Sequence, residues 1–536
     1  MLLLLLYLAC TCATQYDLGL VENEKLLRIL CRADNNSGDC DELVQHPVYS
    51  FNLIKRAFIL SQQQDEDAED INVELKESVG RITDMDMMGA VKGVLLISHT
   101  YDTDVELFRK GEFLFQSGND TISFKTNSQL RTEDLTLLSE TALDMGFVNT
   151  AASYIRSALI AAEEEVIDKD SIKKIIKLKN KILKIHNTLL RQRKQILTDE
   201  QITNPYILDD KLERSARQPK FVKDLQHEEY DLHQYQGDFY DMQRMMIGCR
   251  GYSRQTQPAL RCKQVHHMDP YVMMGPFKIE VASKEPLIVV FHEILTEEDS
   301  EHFLELAKPK LSRKRGYNTD SAYSRREREE GKVKVIYKSV QAWLDTIEFA
   351  GMEGGKYTPN NFTILDRRAE NLSSRLEKAL NLNVTNQWSS HKYQVTNYGL
   401  AGLCEVHVDP HGYLEGADMT GKDHLMNTGD YIGTVMAWLE DTPAGGATTF
   451  YEHKTEVSLW PTRGAAAFWF SLYRDGVRDP AASHGGCPVA VGSKWILNKW
   501  VYSFNNWDKQ PCSTHYTNKY DYQHKDRITW SDSSYY

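Results

Sequence analysis

His407-Val-Asp409 and, downstream, His484-Gly-Gly-Cys-Pro-Val-Ala-Val-Gly-Ser-Lys494-Trp495 are the stretches on which the fold turns. In an extended strand side chains alternate faces, so His407 and Asp409 point the same way and can grip one ion together. A second imidazole has to come from elsewhere in the chain. His484 lies 75 residues beyond Asp409, a separation that in a β-barrel returns the chain through several strands to the same end. Two imidazoles and one carboxylate on one face of an octahedron leave three positions open, the ligand pattern of non-haem Fe(II) sites.

Ten residues after His484, Lys494 sits in an apolar strand where a solvated charge would not be placed. Its ammonium needs an anion. A 2-oxo acid that chelates a metal through its 1-carboxylate and keto oxygen would extend its far carboxylate inward, within reach of a charge-assisted hydrogen bond from that lysine. With 17 histidines and 76 acidic residues, an isolated His-x-Asp triplet arises by chance. The distal histidine and the lysine at fixed spacing give the triplet its meaning.

Together with Gln394-Val-Thr-Asn-Tyr398-Gly, Gly445-Gly-Ala-Thr-Thr-Phe450 and Gly464-Ala-Ala-Ala-Phe-Trp469, these residues resemble the catalytic domain of the collagen prolyl 4-hydroxylase alpha subunits. The resemblance covers about the last 270 residues strongly and the order of earlier features more loosely. It implies that His407, Asp409 and His484 bind Fe(II), that Lys494 binds the 5-carboxylate of 2-oxoglutarate, and that Tyr398 neighbours the cosubstrate. Dioxygen as oxidant and L-ascorbate to restore the iron follow from the same likeness. So do a proline-rich or collagen-like peptide substrate and a hetero-oligomer with protein disulfide isomerase as beta subunit. Phe468 and Trp469 are expected to screen the pocket.

The expected architecture is multidomain. An all-α N-terminal half, made of a helical assembly segment and a tetratricopeptide-like peptide-binding domain, precedes a double-stranded β-helix, or jelly-roll, catalytic domain with flanking helices. The boundaries read as a signal peptide at 1–14, the assembly segment at 15–95, the peptide-binding domain at 96–205, a linker at 206–265, the dioxygenase domain at 266–513 and a flexible tail at 514–536. In the assembly segment Leu20, Leu26, Leu27, Leu30, Leu53, Ile54, Phe58 and Ile59 recur at helical spacing. Between 96 and 205 the pattern stays helical, with Tyr101 and Tyr154 as its tyrosines, and the Lys-rich run from Ile172 to Leu197 reads as a solvated face. Strands are expected at Lys278-Ile-Glu-Val, Leu287-Ile-Val-Val-Phe, Val435 to Leu439, Ala447 to Phe450, Gly464 to Leu472 and Ser493 to Phe504. Helices should run from Glu297 to Leu306, capped near Thr296, and from Ser374 to Leu380.

A net charge of −13 argues against nucleic-acid binding, since phosphate-binding surfaces are basic. The Leu2 to Leu6 run is too short to span a bilayer and reads as a secretory leader, and no later run is long enough to do so. Glycosylation triplets at Asn35, Asn119, Asn361, Asn371 and Asn383 agree with that route. The tail shows no retrieval tetrapeptide, so residence in the endoplasmic reticulum lumen would rest on the isomerase partner. Of nine cysteines, Cys10 and Cys12 fall in the leader; among the other seven, local spacing suggests the pairs Cys31 with Cys40, Cys249 with Cys262, and Cys487 with Cys512, the last two being similar to disulfides of the resembled family. Cys404 is then left over, three residues before His407 where the family usually carries tyrosine. It fills a barrel position as a small apolar group, or else it alters the substrate mouth. Rival readings keep the same iron residues but assign another peptide side chain as target, or treat the chain as a non-catalytic peptide-binding subunit.

Overall fold

The computed structural model describes residues 31–32, 39–62, 82, 84–117, 120–196, 245–251, 262–265, 274–284, 286–313, 339–344, 347–349, 362–364, 366–412, 423–450 and 455–511. They fall in two compact units, one drawn from Asn23–Met246 with Ala490–Gly492, the other from Ile247–Val489 and Ser493–Tyr536. The leader, the leucines at 20 to 30, most of the connector, Cys512 and the tail lie outside the described residues.

In the first unit the helices Thr132–Asp144 and Val148–Glu164 are joined by three residues, which forces them antiparallel. Gly146 in that turn takes φ 78°, a conformation that a Cβ would strain. Leu135, Leu138 and Ala142 face Ala151, Ile155 and Ala158, all buried, and the small alanines let the helices approach closely. The helix Lys169–Ile196 follows and packs on the second of them. Its Lys173, Lys174, Lys177, Lys181 and Lys184 are exposed, the solvated face read from the sequence. Tyr154 is fully buried and Tyr101 half-buried. Cys31 bonds Cys40, as the local spacing suggested.

The all-α reading of this half needs correction. Strands β1 (Glu112–Ser117) and β2 (Asp120–Lys125) form an antiparallel hairpin inside the stretch read as helical. Phe113, Phe115 and Phe124 drive it. Their period-two spacing puts the rings on one face, where Phe113 meets Phe108, Phe115 and Phe124 at centroid distances of 6.0 to 6.4 Å.

The remaining strands among the described residues are β3 (Cys262–Val265), β4 (Phe277–Lys284), β5 (Leu287–His292), β6 (Ser312–Arg313), β7 (Val340–Leu344), β8 (Ile347–Phe349), β9 (Phe362–Ile364), β10 (Tyr393–Tyr398), β11 (Cys404–His407), β12 (Tyr431–Trp438), β13 (Ala444–Gly445), β14 (Thr448–Phe450), β15 (Val457–Leu459), β16 (Ala466–Phe470), β17 (His484–Gly486), β18 (Val489–Val491) and β19 (Lys494–Tyr502). A nine-stranded sheet runs β3-β4-β5-β16-β12-β19-β10-β7-β6, and a four-stranded sheet runs β11-β17-β14-β15. Large and small sheets with non-consecutive antiparallel neighbours fit a jelly-roll. Residues 262–265, read as linker, instead pair with β4 at the sheet edge.

Two helices cover one face of the large sheet. Glu297–Ala307 starts at a capping box in which Thr296 and Asp299 bond each other's backbone, as its sequence announced. Arg367–Leu380 buries Ala369, Leu372, Leu376 and Ala379 at helical spacing, and Asn381 ends it in the left-handed region. Asp299 ties the two together, accepting from Arg368 at 3.2 Å and Arg375 at 2.6 Å. These helices close one core over Trp495, Leu497 and Val501 of β19. The alternate residues of the same strand face the other sheet, which is how one strand serves both a core and a cavity.

The disulfide pattern also departs from expectation. Cys249 bonds Cys487 across 238 residues, with Cα atoms 5.5 Å apart, which rules out both Cys249–Cys262 and Cys487–Cys512. What a disulfide requires is backbone proximity, not sequence proximity. Next to Cys249, Gly248 accepts a 2.7 Å hydrogen bond from Ser458 of the small sheet. Of the glycosylation triplets within reach, Asn371 is exposed on its helix, whereas the Asn383 amide donates to the Asn505 carbonyl at 2.7 Å.

Candidate metal and cosubstrate site

β11 and β17 are paired so that His407 stands directly opposite His484, after a bulge that follows Cys404. The ring centroids are 4.5 Å apart. Asp409, two residues past His407 and just beyond the end of the strand, sets Oδ1 at 3.9 Å from His407 Nε2 and Oδ2 at 3.8 Å from His484 Nε2. All the ligand atoms of this trio lie within 4.8 Å of one another.

The orientation of each donor is fixed from behind. His407 Nδ1 donates to the Glu405 carbonyl at 2.8 Å, and His484 Nδ1 donates to the Ala482 carbonyl at 3.1 Å. Each ring is thereby held in the tautomer whose Nε2 carries the lone pair. Asp409 accepts from Thr434 Oγ1 at 2.7 Å and from Trp500 Nε1 at 2.9 Å. Burial pushes the His484 imidazole below its usual range, which favours the neutral ligand form. For Asp409 burial works against ionisation, but the His484 and His407 charges and the Thr434 and Trp500 hydrogen bonds hold it below the usual carboxylate range. A carboxylate and two imidazoles with converging Nε2 atoms suit a ferrous ion, which binds in place of any proton on Nε2.

Lys494 opens β19, opposite Tyr398 of β10 in register. Its side chain is buried, donates to Thr448 Oγ1 at 2.9 Å, and lies 5.6 Å from the centre of the Tyr398 ring. Among the described residues no carboxylate pairs with it. Burial pushes its ammonium down to about 7. One cavity of about 80 Å³, part of it open to solvent, takes in the His-Asp-His trio, Lys494, Tyr398 and Thr448.

The structure thus brings together all five residues singled out from the sequence. It separates the two that were expected to screen the pocket. Trp469 lines the cavity with its ring 4.7 Å from that of His484. Phe468, its neighbour on β16, points to the opposite face and belongs to the helix-covered core. Cys404 is buried, lines the cavity, and sits with Sγ 3.5 Å from His407 Nδ1.

Thr434, Thr448 and Trp500 were missed as site residues. Parity could have found Trp500, because 494, 496, 498 and 500 share one face of β19. The Trp500 hydrogen bond should position the carboxylate. Trp500→Phe keeps the ring but removes the N–H, and Fe(II) affinity should fall roughly 10- to 100-fold. Metal titration checks this, and unchanged affinity would remove Trp500 from that role.

Residues 393–502 match the 2OG-Fe(II) oxygenase superfamily. The chain is 24% identical over 523 residues to human prolyl 4-hydroxylase subunit alpha-1, spanning 91% of this chain and 88% of that protein. It is 32% identical over 268 residues to the Caenorhabditis elegans prolyl 4-hydroxylase subunit alpha-2, which is 49% of this chain and 43% of that one. Among solved structures it is similar to a viral collagen prolyl hydroxylase from Paramecium Bursaria Chlorella virus-1 in complex with 2OG. There the identity is 16% and the TM-score 0.27, over 40% of this chain and 96% of that one.

Proposed function

We propose, from the premise that this chain is a 2OG-Fe(II) oxygenase related along most of its length to prolyl 4-hydroxylase alpha subunits, that it converts peptidyl proline to 4-hydroxyproline in collagen-like or other proline-rich proteins. The observation that carries the reading is the convergence of His407, Asp409 and His484 in one cavity with a buried, carboxylate-free ammonium. Bound there with 2-oxoglutarate and dioxygen, Fe(II) supplies oxidative decarboxylation to succinate and carbon dioxide and the oxidising equivalent for hydroxylation. Ascorbate keeps the iron ferrous.

The chain's own work is binding, orientation and exclusion of water. His407, Asp409 and His484 would hold the metal, and Lys494 with Thr448 would receive the far carboxylate of the cosubstrate beside Tyr398. Trp469, Met436 and Ile496 line the same cavity and limit water. The helical unit would bind the extended peptide in a tetratricopeptide-like manner and contribute to assembly. Protein disulfide isomerase as partner and the endoplasmic reticulum lumen complete the proposal. The described helices support this reading only as a helical platform, and none is long and apolar enough to cross a membrane.

To test it, the purified complex is incubated with Fe(II), 2-oxoglutarate and a panel of proline peptides, and mass spectrometry locates the added oxygen. Oxygen at proline C4 with matching succinate is expected. Oxygen on another side chain, or none, overturns the reading. At Cys404 a tyrosine would introduce a phenol into the cavity beside His407. Cys404→Tyr should change peptide selectivity or turnover, and identical kinetics across the panel would take Cys404 out of substrate handling.

A further inference from the structure

The small sheet presents two successive rungs to the cavity. On one, His407 of β11 stands opposite His484 of β17; two residues along β17, Gly486 stands between Cys404 of β11 and Thr448 of β14. Strand alternation turns His484 and Gly486 to the same side, and two residues of strand put the rungs roughly 7 Å apart. All three members of the second rung line the cavity, and Thr448 there accepts the Lys494 hydrogen bond at 2.9 Å. The first rung is thus the metal end of one floor and the second its anion end. The second rung carries very little side chain. Its middle member has none, and one flank is a cysteine. Gly486 lies outside the left-handed region, so its backbone conformation does not require glycine. A Cβ built there would stand 3.4 Å from the Cβ of Cys404 and 3.9 Å from Lys494 Nζ, ordinary contacts both. The chain would accept alanine at 486. What glycine leaves is open floor beside the ammonium.

We propose that Cys404 and Gly486 set the length of 2-oxo acid that the site accepts, and that their small size admits a dicarboxylate one methylene longer than 2-oxoglutarate. The inference rests on the hydroxylase reading above and adds a selectivity to its cosubstrate site. A 2-oxo dicarboxylate is fixed at both ends, by the metal at its 1-carboxylate and keto oxygen and by Lys494 at its far carboxylate. An extra methylene cannot lengthen the span between two fixed ends, so the chain has to bow sideways. The floor between the ends decides whether it can. Over Gly486, flanked by the short Cys404 side chain, that floor is bare. Filling it with a methyl group removes the room for the bow and leaves both end contacts in place. The reaction balances as before: 2-oxoadipate and dioxygen give glutarate and carbon dioxide as the target residue gains its hydroxyl.

The test reads binding and turnover separately. Calorimetric titration of the purified complex, loaded with Mn(II) in place of iron, gives Kd for 2-oxoglutarate and 2-oxoadipate without reaction, and mass spectrometry of succinate and glutarate follows the iron-loaded complex. The parent should bind 2-oxoadipate within about tenfold of 2-oxoglutarate and form glutarate from it. A methylene excluded from a filled pocket changes discrimination by about 10- to 200-fold, so Gly486→Ala should shift the ratio of the two Kd values against 2-oxoadipate by that much. Cys404→Ala widens the same rung and should move the ratio the other way, so a folding defect in one variant leaves the other to decide. A parent that rejects 2-oxoadipate by more than about tenfold, or a ratio that the folded variants leave unchanged, overturns the length selection while succinate formation keeps the hydroxylase reading intact. A parent that neither binds 2-oxoglutarate nor forms succinate sinks both.

Discussion

His484→Ala should abolish succinate formation and release the iron. Two donors cannot replace three. With His484 gone, His407 and Asp409 would hold the ion by one nitrogen and one carboxylate, and the Ala482 carbonyl that oriented the lost ring would face nothing. Loss of an outer-shell partner already costs roughly 10- to 100-fold in affinity, so loss of a ligand costs more than about 100-fold. The ring also packs against Trp469 at 4.7 Å and Phe450 at 5.4 Å, so alanine leaves a void as well. A melting curve separates lost metal from lost fold. Elemental analysis and a succinate assay read the result, and a folded variant with parental iron content and turnover would disprove the metal assignment.

Lys494→Ala should leave iron bound and raise the 2-oxoglutarate requirement. The lost contact is one charge-assisted hydrogen bond in a buried site, worth about 2 to 4 kcal/mol. That corresponds to a KM increase of roughly 30- to 700-fold. A pH effect accompanies it. In the empty site burial has pushed the ammonium down to about 7, whereas an arriving carboxylate favours the charged form. Below that pH the lysine is already protonated and binding takes up no proton. Above it binding must recruit one, so apparent affinity falls by up to about tenfold per pH unit. Lys494→Arg stays charged and should flatten that slope. Equal cosubstrate affinity in parent and alanine variant, or a flat profile in the parent, would take Lys494 out of the role.

Much of this site was legible because its signals are local. His407 and Asp409 converge as alternation predicts, although Asp409 lies just past the strand, the Thr296 capping box starts its helix, and Lys494 is conspicuous in an apolar strand. The errors share a cause. The β1–β2 hairpin was submerged in a helical neighbourhood, although Phe113, Phe115 and Phe124 carry its period-two signal. Parity along β16 separates Phe468 from Trp469, but which face meets the cavity depends on what covers each side of the sheet. The Cys249–Cys487 bond joins segments that spacing could not relate.

The residue types, their order and the periodicity of the strands therefore determined, unaided by coordinates, that an iron site with an anion anchor was within the chain's means. Only the tertiary structure decided which side chains serve it. Thr434 and Trp500 reach Asp409, and Trp343 meets His391 and Trp500, because β12, β19, β10 and β7 lie side by side, while Thr448 reaches Lys494 from β14 of the smaller sheet. Sheet neighbours that are distant in sequence are chosen by the summed packing of two cores, a quantity that no local window contains.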